Sequence, residues 1–120
     1  GYFPGKRLNM VGDMPAAAMK QWSRWCRSKD YLFDNISTEQ KKRYKAFSAP
    51  ISAFHIADDE LLQRSNIENL LAHYPNADKV LKDLTPEMAE SKGIGHFNFF
   101  RSQFKESLWR KNLLDALKVN

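Results

Sequence analysis

The chain is 120 residues long, 42% hydrophobic and 28% charged, ordinary for a soluble globular domain with a modest core. No apolar run approaches the roughly 18 residues of a membrane span, no basic stretch leads an apolar one at the N-terminus as in a signal peptide, and the single cysteine, Cys26, excludes an internal disulfide and fits a reducing, cytoplasmic setting. The net charge of +5 invites an acidic partner, but only Lys41, Lys42, Arg43 and Lys45 cluster, and no nucleic-acid-binding motif accompanies the neighbouring Tyr44 and Phe47, so a solvated linker is expected there.

Residues 1–12 are rich in glycine, proline and polar side chains and read as loop; a start at Gly1 without methionine is what a piece of a longer protein would show. Asp13 before Met14 and Pro15 reads as a helix start, an oxygen acceptor for orphan amides followed by a residue with preset φ. From Pro15 to about Lys29, Ala18, Met19, Trp22, Trp25 and Cys26 recur at three- and four-residue spacing. They make one apolar stripe expected to bury both tryptophans, with Lys20, Arg24 and Arg27 elsewhere around the helix. Residues 30–49 read as a polar connection running into Pro50. The chain thus divides into a connecting or cap segment, 1–48, and a strand-and-helix segment, 49–120.

Ile51 to Ala57 is an apolar run of strand length that stops at Asp58-Asp59-Glu60, as a buried strand would when delivering carboxylates to the edge of a sheet. Ser65 and Glu68 have capping-box spacing, and Ile67, Leu70, Leu71 and Tyr74 form one helical face that Pro75 and Asn76 end. Lys79 to Leu84 is a second strand, diluted by Lys82 and Asp83, and Thr85 to Gly95 is loop. From about Phe100 a long helix sets Phe104, Leu108, Trp109, Leu113 and Leu117 on its apolar side. The order helix, strand, helix, strand, helix predicts an α/β fold of parallel strands with flanking helices. Two strands do not make a stable parallel sheet alone, so more sheet is expected upstream, and an exposed sheet edge is expected to favour self-association.

Two local features carry chemistry. In Gly93-Ile94-Gly95-His96-Phe97 the glycines permit a tight turn between the second strand and the last helix, presenting His96 where open α/β folds place reactive groups. Taken alone, the same histidine reads as a loop residue capping the final helix. At Asp58-Asp59-Glu60 a carboxylate after a strand can orient a histidine on the next loop, or simply favour the positive end of the following helix. One helix and one strand separate the two features, which brings their loops side by side at one sheet edge.

The element order resembles the last part of the α/β-hydrolase fold. Within it the chain is similar to a bacterial branch described as predicted alpha/beta hydrolases. The matching segments are Gly1-Tyr2-Phe3-Pro4-Gly5, Asp13-Met14-Pro15, Trp22-Ser23-Arg24-Trp25-Cys26, Asp58-Asp59 and Ile94 to Arg101. The resemblance implies the acid and histidine of a Ser-His-Asp triad acting on ester, thioester or amide bonds of a small acyl substrate. The family's acid is followed by any residue and then two apolar ones, which Asp59-Glu60-Leu61-Leu62 fits, leaving Asp58 as the alternative. His96 matches the general base. Such enzymes order serine, acid, histidine and carry the serine on a Gly-x-Ser-x-Gly elbow. None occurs here, so the nucleophile and oxyanion-hole amides are expected upstream.

Other candidates are weaker. Cys26 lies on the apolar stripe and reads as inert packing. His55 within a strand and His73 on a helix lack metal-ligand spacing, and Gly1, Gly5 and Gly12 are too scattered for a phosphate loop, so neither metal nor cofactor is expected. The Trp22 and Trp25 pair reads as core packing, with a lining over the substrate pocket as the alternative. From a different class, the chain also reads as a non-catalytic interaction module that binds a protein or nucleic-acid partner through its basic surface.

Overall fold

The hairpin that opens the chain already departs from the predicted loop. In the computed structural model, which describes residues 1–8 and 12–117, β1 (Tyr2–Phe3) pairs antiparallel with β2 (Met14–Pro15), Tyr2 opposite Pro15 and Phe3 opposite Met14. A 3₁₀ turn, Lys6–Leu8, lies between them; the rest of the predicted loop, residues 9–11, lies outside the described residues. Because pairing holds Met14 and Pro15 extended, α1 (Ala16–Cys26) starts after them with Pro15 as its N-cap. Asp13 is not the cap: its Oδ1 accepts the Lys6 amide at 3.2 Å.

The contacts divide the chain into two units, Gly1–Arg43 and Tyr44–Asn120. In the first, the apolar stripe of α1 is not buried: no residue of the helix is, Trp22 is 40% exposed, and Cys26 is exposed. A unit of this length, with two two-residue strands and two short 3₁₀ turns beside the helix, has little apolar surface to cover two indoles. Trp25 meets Tyr31 edge to face, ring centroids 5.7 Å apart, where the 3₁₀ turn Tyr31–Asn35 begins.

The expected polar connection contains a helix, α2 (Thr38–Ala46). Ser37 and Gln40 cap its start reciprocally: the Gln40 amide donates to Ser37 Oγ at 3.2 Å, and the Ser37 amide donates to Gln40 Oε1 at 2.9 Å. Tyr44 near the end of α2 and Phe47 just after it both pack edge to face on Tyr74, at 5.4 and 5.7 Å. The aromatics beside the basic run are therefore engaged in packing.

The second unit is built on β3 (Ile51–Ile56), α3 (Arg64–Leu71) and β4 (Lys79–Leu84). The strands pair in parallel, from Ile51 opposite Lys79 to Ile56 opposite Leu84. The cap of α3 falls two residues before the predicted one: the Gln63 amide donates to Asn66 Oδ1 at 2.8 Å, while Glu68 accepts from Arg64 Nε at 2.9 Å. Chain then runs through turns to a 3₁₀ turn (Ser102–Phe104), a π-helical stretch (Lys105–Leu113) and α4 (Leu114–Leu117).

Alternation along the strands divides the sheet. Phe54, Ile56 and Leu84 face the core cluster, where Leu84, Ala89, Ile94, Phe104 and Leu108 are each at most 4% exposed. The four-residue steps Phe104, Leu108, Asn112 place three buried residues on one side of the wide last helix; Leu117, expected on that side, is 66% exposed. Asn112 accepts from Lys82 Nζ and donates to the Leu108 carbonyl, so its burial leaves no amide group unmatched. His55 and Asp83 lie on the other face, toward α3, where Arg64 reaches Asp83. The unit is thus mixed α/β with a small parallel sheet. Each strand has one edge without a neighbouring strand among the described residues, and no helix among them is long and apolar enough to cross a membrane.

Candidate active site

β3 ends at Ile56 and the chain turns at once, the Ala57 amide donating to the Leu84 carbonyl at 2.9 Å and the Asp59 amide to the Ile56 carbonyl at 3.0 Å. The turn points two consecutive carboxylates at the loop that follows β4. Asp58 takes the backbone of that loop: its Oδ2 accepts the Ile94 amide at 2.8 Å and its Oδ1 the Gly95 amide at 3.2 Å. Asp59 takes the side chain of His96, whose Nδ1 donates to Oδ2 at 2.8 Å and lies 3.0 Å from Oδ1. Both expected acids therefore meet the Gly-His loop, but only Asp59 meets the imidazole.

The two glycines matter at different points. Gly95 has φ +63, a left-handed conformation that side chains resist. At Gly93 a Cβ would stand 3.1 Å from Asp58 Oδ2, so the missing side chain admits the carboxylate to the loop. Ser91 Oγ donates to the Gly93 carbonyl at 2.9 Å and Asn98 Nδ2 to the Ile94 carbonyl at 2.8 Å, closing the loop on itself. Phe97 packs edge-on against His96, centroids 4.6 Å apart.

Asp59 is 8% exposed at its side chain and His96 25%. Burial pushes the Asp59 carboxyl up, but the hydrogen bond from His96 and those from the amides of Leu62 and Leu61 outweigh it and hold the group below the ordinary aspartate value. An ionised carboxylate only accepts, so the proton between the pair belongs to Nδ1. In the corresponding neutral tautomer Nε2 carries the lone pair, and among the described residues the hydrogen bonds of the ring are made by Nδ1. Chemically this is a base with a fixed tautomer and one free nitrogen.

A second histidine–carboxylate pair was missed from sequence. His55 Nδ1 lies 2.8 Å from Asp83 Oδ1, and Arg64 Nη1 donates to Asp83 Oδ2. Hydrogen bonds from His55 first, and Arg64 next, hold the Asp83 carboxyl below its ordinary value. The signal was available: His55 and Asp83 are each the fifth residue of a six-residue strand, opposite one another in parallel register. That pair sits within the sheet with an arginine already on its acid, whereas Asp59 and His96 lie on loops beyond the strand ends. No group of three His, Cys, Asp or Glu among the described residues is placed to hold a metal ion.

No family model, no curated protein and no solved structure matches this chain.

Proposed function

We propose that this chain supplies the acid and the base of a Ser-His-Asp hydrolase of ester, thioester or amide bonds in small acyl substrates, the serine being carried outside these 120 residues, which hold no Gly-x-Ser-x-Gly. The observation that supports it best is the contact of Asp59 with His96 Nδ1, beyond the C-terminal ends of two parallel strands, with Nε2 left open. In the proposed reaction the serine hydroxyl attacks the carbonyl and gives its proton to Nε2. Asp59 stabilises the resulting imidazolium, which returns the proton to the leaving group; water then repeats the sequence on the acyl-enzyme. The open edges of β3 and β4 are where further strands of such a sheet would pair, and where copies of the isolated chain would associate.

The test is a fluorophosphonate probe and a p-nitrophenyl ester, applied to the 120-residue chain and to the chain joined to the polypeptide that precedes it in its gene. The longer protein should be labelled on a serine before Gly1, with turnover lost in His96→Ala and kcat lowered about 10⁴-fold in Asp59→Asn. Labelling and turnover indifferent to both changes would refute the proposal. Esterase turnover by the 120 residues alone, abolished by His96→Ala, would refute the external serine.

A further inference from the structure

Charge is divided unevenly between the two units. Through Arg43 there are nine Lys and Arg against four Asp and Glu; from Tyr44 onward there are ten against ten, so the whole net charge of +5 belongs to the first unit. Lys20, Ser23 and Arg24 on α1, and Arg27 as its C-cap, follow at three- and four-residue steps that put them on one helical face. That face lines an open cavity of about 400 Å³, completed by Phe3 and Met19. No acidic side chain lines it, and none of its three cations forms an ion pair among the described residues.

Like charges at three- and four-residue spacing weaken a helix. Arg24 and Arg27, near the C-terminal end, have a partial structural reason, because cations there complement the helix dipole. Lys20 at mid-helix has no such reason, and the dipole explains neither the cavity nor its apolar wall. Guanidinium forks with an ammonium beside them match phosphate oxygens. Phe3 and Met19 offer an apolar surface at the same opening, and the volume is that of a small-molecule site. A nucleic-acid track would spread cations along a surface with aromatics to stack bases; here all three residues border one opening.

We propose that this basin binds a small organic phosphate, its anionic group held by Lys20, Arg24 and Arg27 and its ring or alkyl part laid on Phe3 and Met19. The proposal does not depend on the hydrolase reading, since it involves none of Asp58, Asp59 or His96. The experiment is an amide NMR titration of the full 120-residue chain with inorganic pyrophosphate, ADP and octyl phosphate. Saturable shifts should be confined to Phe3 and Met19–Arg27. At least one organic phosphate should bind more tightly than pyrophosphate, ADP reporting a ring and octyl phosphate an alkyl chain. Arg24→Gln with Arg27→Gln should weaken binding about tenfold or more, and the charge-preserving Arg24→Lys with Arg27→Lys should fall between. Lys41→Gln with Lys42→Gln should leave affinity unchanged. Shifts spread equally over Lys41–Lys45, undiminished binding by the double glutamine variant, or binding of duplex oligonucleotide or anionic vesicles alone would overturn it.

Discussion

Replacing Asp58 with alanine removes both acceptors that hold the Gly-His loop to the end of β3. The two bonds are unequal. Ile94 is 1% exposed, so its amide, which donates at 2.8 Å, would be left without a partner in a dry setting. The Gly95 amide, at 3.2 Å and exposed, can turn to water. An orphaned buried donor costs about 1–3 kcal/mol, and a solvated one little. With the solvent-facing part discounted, Asp58→Ala should cost about 1–3 kcal/mol, against a total of about 5–15 kcal/mol for folded domains generally. Urea denaturation measures the sum, and hydrogen exchange at the Ile94 amide locates it. A change below about 0.5 kcal/mol with Ile94 protection intact would refute the clamp.

Asp59→Asn should reshape the acid limb of the stability profile. A carboxyl held below its ordinary pKa in the fold stabilises it above the unfolded pKa of about 3.9, and that contribution is lost as pH falls through the folded value. The wild-type chain should therefore exceed the variant at neutral pH and converge on it in acid; parallel profiles from about pH 5 to pH 2 would contradict this assignment. Gly95→Ala should cost about 1–2 kcal/mol from its left-handed backbone. Gly93→Ala should destabilise by pressing on Asp58 Oδ2, and should do so much less once Asp58→Ala has removed that oxygen; strict additivity of the two by denaturation would count against the contact.

The second unit was legible where one physical rule governed. An apolar run stopped by acids marked the first strand and a shorter, charge-diluted one the second, and alternation with a helix predicted their parallel pairing. Loop geometry was legible in outline because the two glycines have no other use. The first unit was not legible, because its rules conflict. Asp13, Met14 and Pro15 spell a helix start, yet Met14 and Pro15 are held extended against Tyr2 and Phe3, a non-local pairing that spacing cannot reveal. The stripe of α1 has helical period, but periodicity says which residues share a face and not whether anything covers it. In α2 the signal was present as Ser37-Thr38-Glu39-Gln40, and the polar composition of the segment masked it.

Adjacent acids would be redundant if either one sufficed to fix His96. A bond to the ring alone ties the imidazole to Asp59 but leaves the backbone beneath it free to drift, and ordering a loop residue costs about 1–2 kcal/mol of conformational entropy. A bond to the backbone alone fixes the loop and leaves the ring torsions open. Asp58 meets the peptide units of Ile94 and Gly95, and Asp59 meets the ring immediately after them. Consecutive residues in one turn thereby restrain His96 at two levels, across 36 and 37 positions of sequence. Asp59 in turn is held by the Leu61 and Leu62 amides at 2.8 and 2.9 Å. Under the proposed function this restraint suits proton transfer, because an imidazole held at both backbone and ring would meet its partner without first being ordered.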